Sequence, residues 1–154
     1  VITFDAKTKT SSTTIRKLLA EGDTEEAEKL LGYRYSVSAD IVSGKHIGRL
    51  LGYPTVNIFP EKNILLPRYG VYATEIILDG ESFSGITNVG VRPTFDDGDR
   101  PNIETFVIGD RLSKNYSKAT VVFKKFIRPE KKFPSEEALS AQIANDVKIA
   151  SEIK

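Results

Sequence analysis

The chain contains no cysteine, no methionine and no tryptophan, and only one histidine, His46. Without cysteine there can be no disulfide, no thiolate nucleophile and no cysteine-ligated zinc. With one histidine, neither a multi-histidine metal site nor a histidine-based catalytic triad is expected, and His46 is given no role. No apolar run is long enough to cross a bilayer and no charged-then-apolar leader stands at the start, so a soluble cytoplasmic protein is the expectation. Charge of one sign is lacking too. Twenty-two Lys and Arg face twenty-one Asp and Glu, for a formal net charge of +1, and the two signs are interleaved. No footprint for a nucleic-acid duplex or an anionic membrane results. The missing methionine, at position 1 included, reads as a fragment of a longer gene product.

What is present suffices for one core: 154 residues with 40% hydrophobic content fit one domain with a small appendage. Residues 11–32 have helical character. Ile15, Leu18 and Leu19 recur at helical spacing, and Asp23 or Thr24 can cap a second short helix that ends near Gly32. From Tyr35 the pattern changes to short β-rich runs between Gly, Pro, Asn and Asp: YSVSADIV, TVNIF, GVYATEIIL, FSGITNVGV, NIETFVIG and ATVVFKKFI. Six such runs in about a hundred residues suggest a barrel or sandwich. Asp79-Gly80 tolerates the positive φ of a primed turn and predicts a hairpin between the third and fourth runs. After Pro134, Ser135 can cap a closing helix with Leu139, Ile143, Val147 and Ala150 on one face.

Three segments can carry chemistry. SGKHIGRLLGYPTVN, residues 43–57, sets Gly44, Gly48 and Gly52 among basic side chains between two strands, where backbone N–H groups and cations can meet phosphates. It lacks the GxxxxGK[ST] pattern, and three glycines in a loop serve more often as a turn device. Thr55 and Asn57, two apart on an extended segment, point to one face. Neutral oxygens so placed suit a magnesium ion that takes its negative charge from nucleotide phosphates, although a Thr/Asn pair can equally satisfy its own turn. Glu104, an acid on a strand, is ordinarily solvent-facing; opposite Thr55 and Asn57 it could orient a hydroxyl and accept its proton in phosphoryl transfer. FIRPEKKF offers an aromatic face and cations to a flat heterocycle, or else is a strand end with a solvated charge cluster.

The ordered set GxxxGRxLGYPTxN, GVYA, NVGVRPT, IET, RPEKKF and a final helix with Asn145-Asp146 resembles the riboflavin kinase module of bacterial bifunctional riboflavin kinase/FAD synthetases, over roughly residues 35–154. The resemblance implies a mainly β fold, a six-stranded antiparallel Greek-key β-barrel with a C-terminal helix and short N-terminal helices. It implies ATP-dependent phosphorylation of the riboflavin 5′-hydroxyl to give FMN and ADP. Gly44, Lys45, Gly48 and Arg49 would cover the ATP phosphates, with Val107 and Tyr116 near the nucleotide. Thr55 and Asn57 would bind Mg²⁺, and Glu104 would be the general base. Arg128, Lys131 and Phe133 would lie against the flavin in a mobile flap. Phe106 stands where relatives often carry His, and Ser117 where many have Gly.

SSTTIR, residues 11–16, resembles the closing motif of the FMN adenylyltransferase domain that precedes the kinase in such enzymes. Residues 1–32 are therefore read as the tail of that domain with linker helices, and 33–154 as the kinase domain. The rival reading is a non-catalytic barrel that binds flavin or nucleotide. An OB-like binder of single strands would want a basic groove, which the near-neutral charge disfavours.

Overall fold

Asp79 and Gly80, with φ of 48° and 92°, reverse the chain so that Leu78 pairs with Glu81. This is the hairpin expected from the Asp-Gly dipeptide, since a primed turn needs positive φ at both central residues. The Asp79 carboxylate also accepts the backbone N–H groups of Ser117 and Lys118, each at 3.0 Å, and so fixes where the last strand begins. The structure, a computed structural model, describes residues 6–42, 54–61, 64–94, 98–108, 116–131 and 133–153.

Among these residues are two N-terminal helices, α1 (Ala6–Ala20) and α2 (Thr24–Leu31), six strands, and a final helix. The strands are β1 (Ser36–Val42), β2 (Thr55–Ile58), β3 (Gly70–Leu78), β4 (Glu81–Thr94), β5 (Gly98–Ile108) and β6 (Lys118–Arg128); the final helix, α3, spans Glu136–Ser151. The strands close into an antiparallel barrel in the order β1-β2-β5-β4-β3-β6. The non-consecutive neighbours β2–β5 and β3–β6 give the Greek-key connectivity. Among the described residues each strand has a partner strand on both sides.

Alternation divides the side chains between two faces. Inside the barrel lie Val37, Val56, Ile58, Tyr72, Ile76, Leu78, Val89, Ile103, Val107, Ala119, Val121 and Phe123, all buried. Their apolar surface supplies most of the driving force, at roughly 25 cal/mol per Å² removed from water. Threonines share this face, and they bond one another. Thr74 Oγ1 lies 2.8 Å from Thr87 Oγ1, which lies 2.7 Å from Thr105 Oγ1.

On the outer face, Val71, Ile86 and Phe106 form a second apolar patch with Ile143 of α3, flanked by Leu139, Val147 and Ala150. That is the helix face expected from the sequence. Ser135 caps α3 by accepting the Ala138 N–H at 3.1 Å. Asp23 caps α2 in the same way through the Glu26 N–H, and Gly32 ends it in the left-handed conformation. The N-terminal helices pack on the barrel. Leu19 and Ala27 are fully buried, the Leu19 carbonyl accepts the Arg68 N–H at 2.8 Å, and the Arg68 guanidinium lies 5.0 Å from the centre of the Phe126 ring.

β6 is irregular where it faces β3. Thr74 pairs with Phe123, Ala73 with Lys125, Tyr72 with Phe126 and Val71 with Arg128, so Lys124 and Ile127 are extra residues in the ladder. Such bulges re-aim the side chains beyond them. The first sends Lys125 outward and Phe126 inward against Tyr72, where the rings meet edge to face at 5.2 Å. The second keeps Arg128 on the outer face, beside Val71.

Candidate active site

Register brings three of the sequence candidates together. Asn57 pairs directly with Glu104 across β2 and β5, and Thr55 pairs with Phe106 one pleat away. Directly paired residues share a face with Cβ atoms about 5 Å apart, so Thr55, Asn57 and Glu104 occupy one patch on the outer wall. On its other side Glu104 pairs with Asn88 of β4. Asn57 is 2% exposed. The Oδ1 atom of Asn57 and the Oγ1 atom of Thr55 are buried without a hydrogen-bond partner. A buried oxygen left unpaired costs on the order of 1–3 kcal/mol, so two on one face mark a place built to accept something more. Among the described residues no group of three or more His, Cys, Asp or Glu could hold a metal by itself. Two neutral oxygens fit a magnesium ion whose remaining ligands are water and phosphate.

From Glu104 a cavity of about 700 Å³ runs under α3. Its floor is Val71, Ile86 and Phe106, its roof Leu139 and Ile143, and its far wall Arg128, Glu130, Lys131 and Phe133. The volume lies in the range typical of small-molecule sites, and the mixture of an apolar floor with a few polar groups is typical of them too. Arg128 and Lys131 flank the Phe133 ring, their charged ends 5.5 and 5.7 Å from its centre. Both cation–π contacts hold the aromatic wall in place. Glu130 reaches back toward β4. Its Oε1 is 3.5 Å from Asn88 Nδ2, and a Cβ added at Gly90 would overlap its carboxylate.

Val107 lies fully buried inside the barrel, on the face of β5 opposite Glu104; its backbone N–H donates to Pro54 O at 2.9 Å. Tyr116 is half-buried at the same barrel end, with its hydroxyl donating to Glu81 Oε2 at 2.6 Å and its ring against Phe83. The candidate phosphate loop with Gly44, Lys45, Gly48 and Arg49 lies outside the described residues, as does His46. Phe106 is 6% exposed and part of the apolar patch under α3.

Residue reading alone gave no role to Asn88, Glu130, Gln142 or Asp146. Asp146 carried a signal. It falls three residues after Ile143 on the apolar face of the closing helix, and an acid in such a position needs a partner. That partner is Arg128. No helix among the described residues is long and apolar enough to cross a membrane.

A family model described as "Flavokinase: Riboflavin kinase" matches residues 31–154. A bifunctional riboflavin kinase/FMN adenylyltransferase from Listeria monocytogenes is 37% identical over 141 residues, covering 92% of this chain and 45% of the relative. Proteins of the same description from Escherichia coli K12 and from Buchnera aphidicola of Schizaphis graminum are 38% and 40% identical, covering 92% and 95% of this chain. The chain spans about half the length of these relatives, 45% and 47% for the last two. A crystal structure described as a macrolide-efflux protein from Streptococcus pneumoniae superposes with a TM-score of 0.83 at 28% identity, over 96% of this chain and 48% of that one.

Proposed function

Because the chain belongs to the riboflavin kinase family, we propose that it transfers the γ-phosphoryl group of ATP to the 5′-hydroxyl of riboflavin, giving FMN and ADP. One observation carries this reading: two buried, unpartnered oxygens, on Thr55 and Asn57, share a face with the carboxylate of Glu104 where a 700 Å³ cavity ends. Riboflavin lies in the cavity with its ring system against Phe133, Arg128 and Lys131 and its ribityl tail toward Glu104. The hydroxyl oxygen forms the new bond to the γ-phosphorus, the bond to the β-phosphate oxygen breaks, and Glu104 takes the hydroxyl proton. Thr55 Oγ1 and Asn57 Oδ1 would hold Mg²⁺, which when bound offsets the charge on the phosphate oxygens. Gly44, Lys45, Gly48 and Arg49 cover those phosphates, with Tyr116 and, behind it, Val107 on the nucleotide side. Positioning and charge stabilisation account for most of the rate in such transfers.

In the same reading residues 1–32 are the tail of a preceding FMN adenylyltransferase domain with its linker helices, 33–154 the kinase domain, and the location cytoplasmic. The test is incubation with riboflavin, ATP and Mg²⁺ followed by chromatography for FMN and ADP. FMN formation that disappears in Glu104→Gln supports the reading. Riboflavin binding without turnover would leave a flavin-binding module instead.

A further inference from the structure

Asp146 has no exposed surface, yet it is an acid on the apolar face of α3. Its carboxylate accepts Arg128 Nε at 3.1 and 3.2 Å and Arg128 Nη2 at 2.9 Å, and Gln142 Nε2 at 3.0 Å. A fork-on-fork pair of this kind fixes the guanidinium plane as well as its place. The plane so fixed stands over Phe133, and Arg128, Phe133 and Asp146 all line the cavity that ends at Glu104. Removing two charges from water costs several kcal/mol per ion before attraction repays it, and an apolar pair in their place would be as stable or more so. Stability therefore gives weak grounds for the pair. Orientation of a cavity wall gives better ones.

We propose that Asp146, supported by Gln142, is a positioning residue for the flavin. It acts through Arg128 to set the guanidinium and the Phe133 ring against the heterocycle, and takes no part in phosphoryl transfer. The proposal rests on the riboflavin kinase reading for the identity of the ligand. It assigns heterocycle recognition to α3 and the end of β6, and chemistry to β2 and β5, so the two should separate in kinetics.

In Asp146→Asn the KM for riboflavin should rise about tenfold while kcat and the KM for ATP stay nearly constant, the signature of lost uniform binding. A titration of riboflavin fluorescence should report the same loss as a raised Kd. Asp146→Asn leaves Arg128 uncompensated and could unfold the chain, so the Arg128→Met/Asp146→Leu double variant removes both charges at once. Arg128 itself lies against the flavin in the kinase reading, so the double variant is set beside Arg128→Met: if Asp146 acts only through Arg128 the two share one raised riboflavin KM, whereas a separate contact of Asp146 with the flavin would raise it further. The proposal expects wild-type melting in the double variant with the KM still raised about tenfold. Gln142→Leu keeps both charges and should raise it about two- to threefold. An unchanged riboflavin KM in a folded variant of this set overturns the assignment. If the wild-type chain makes no FMN, the kinase reading fails on its own, and the fluorescence titrations still decide the role of Asp146.

Discussion

Thr74, Thr87 and Thr105 on the inside of the barrel and Thr55 and Asn57 on its outside all have buried side-chain oxygens, yet their bonding is opposite. The inner hydroxyls close on one another at 2.7 and 2.8 Å. The outer oxygens have no partner. The inner set is part of what holds the barrel shut, and its polarity is used up within the fold. The outer set forgoes that stabilisation, and in the proposed function its lone pairs serve a ligand. Neighbouring strands of one barrel thus carry a satisfied polar cluster on one face and an unsatisfied one on the other, told apart by bonding rather than by residue type or burial.

The contrast breaks most sharply at Glu104. Glu104→Gln should lower FMN formation by about 10²–10⁴-fold, with the melting midpoint unchanged; normal turnover in that variant would remove the carboxylate from the chemistry. Thr55→Val should leave stability unchanged or raise it by up to about 1 kcal/mol, because an unsatisfied oxygen is removed. The Mg²⁺ concentration for half-maximal turnover should rise about tenfold or more. A titration of activity against Mg²⁺ checks the second effect and urea unfolding the first. Thr87→Val is the mirror experiment. It breaks the inner ladder at its centre and should cost about 1–3 kcal/mol, or a melting midpoint lower by roughly 2–4 °C per kcal/mol, with kcat unchanged. Equal losses of stability in Thr55→Val and Thr87→Val would erase the distinction. The smallest effect is expected at Gly90→Ala, whose methyl meets only the flexible end of Glu130: the riboflavin KM should rise by no more than about threefold at constant kcat.

Much of the barrel was legible because period-two alternation and an Asp-Gly turn are local signals. All six runs became strands, and the closing helix kept its expected cap and apolar face. Strands β4 and β5 extend further than alternation suggests, to Thr94 and back to Gly98. Backbone pairing such as Pro93 with Asp99 carries them through polar and proline positions, and pairing leaves little trace in side-chain pattern. Helix α1 starts at Ala6, earlier than the apolar spacing reaches, since AKTKTS has no apolar period. The site was harder. That Thr55 and Asn57 share a face follows from their spacing, but that Glu104 is their neighbour depends on β2–β5 register, a contact between residues 47 apart along the chain. The resemblance supplied that link where periodicity could not. The pairing of Arg128 with Asp146 joins a strand end to a helix and is equally invisible to local pattern, although the misplaced acid on α3 hinted at it.

The two extra residues in β6 have an architectural consequence. Against the four residues 71–74 of β3, six residues of β6, from 123 to 128, must be accommodated, so the surplus backbone has to bow. Bowed strands bend and twist more strongly than regular ones, and this one does so against the C-terminal half of α3, where Lys124 lines a small pocket with Ala150 and Ser151 and Arg128 meets Asp146. The bow ends at Arg128, where the far wall of the cavity begins. Deleting Lys124 and Ile127 together would restore a four-on-four ladder, with Phe123 and Phe126 still facing in and Lys125 and Arg128 still facing out. The barrel would keep its inward and outward assignments and the floor its three residues, while Arg128 and the far wall behind it would be drawn back by two residues of chain.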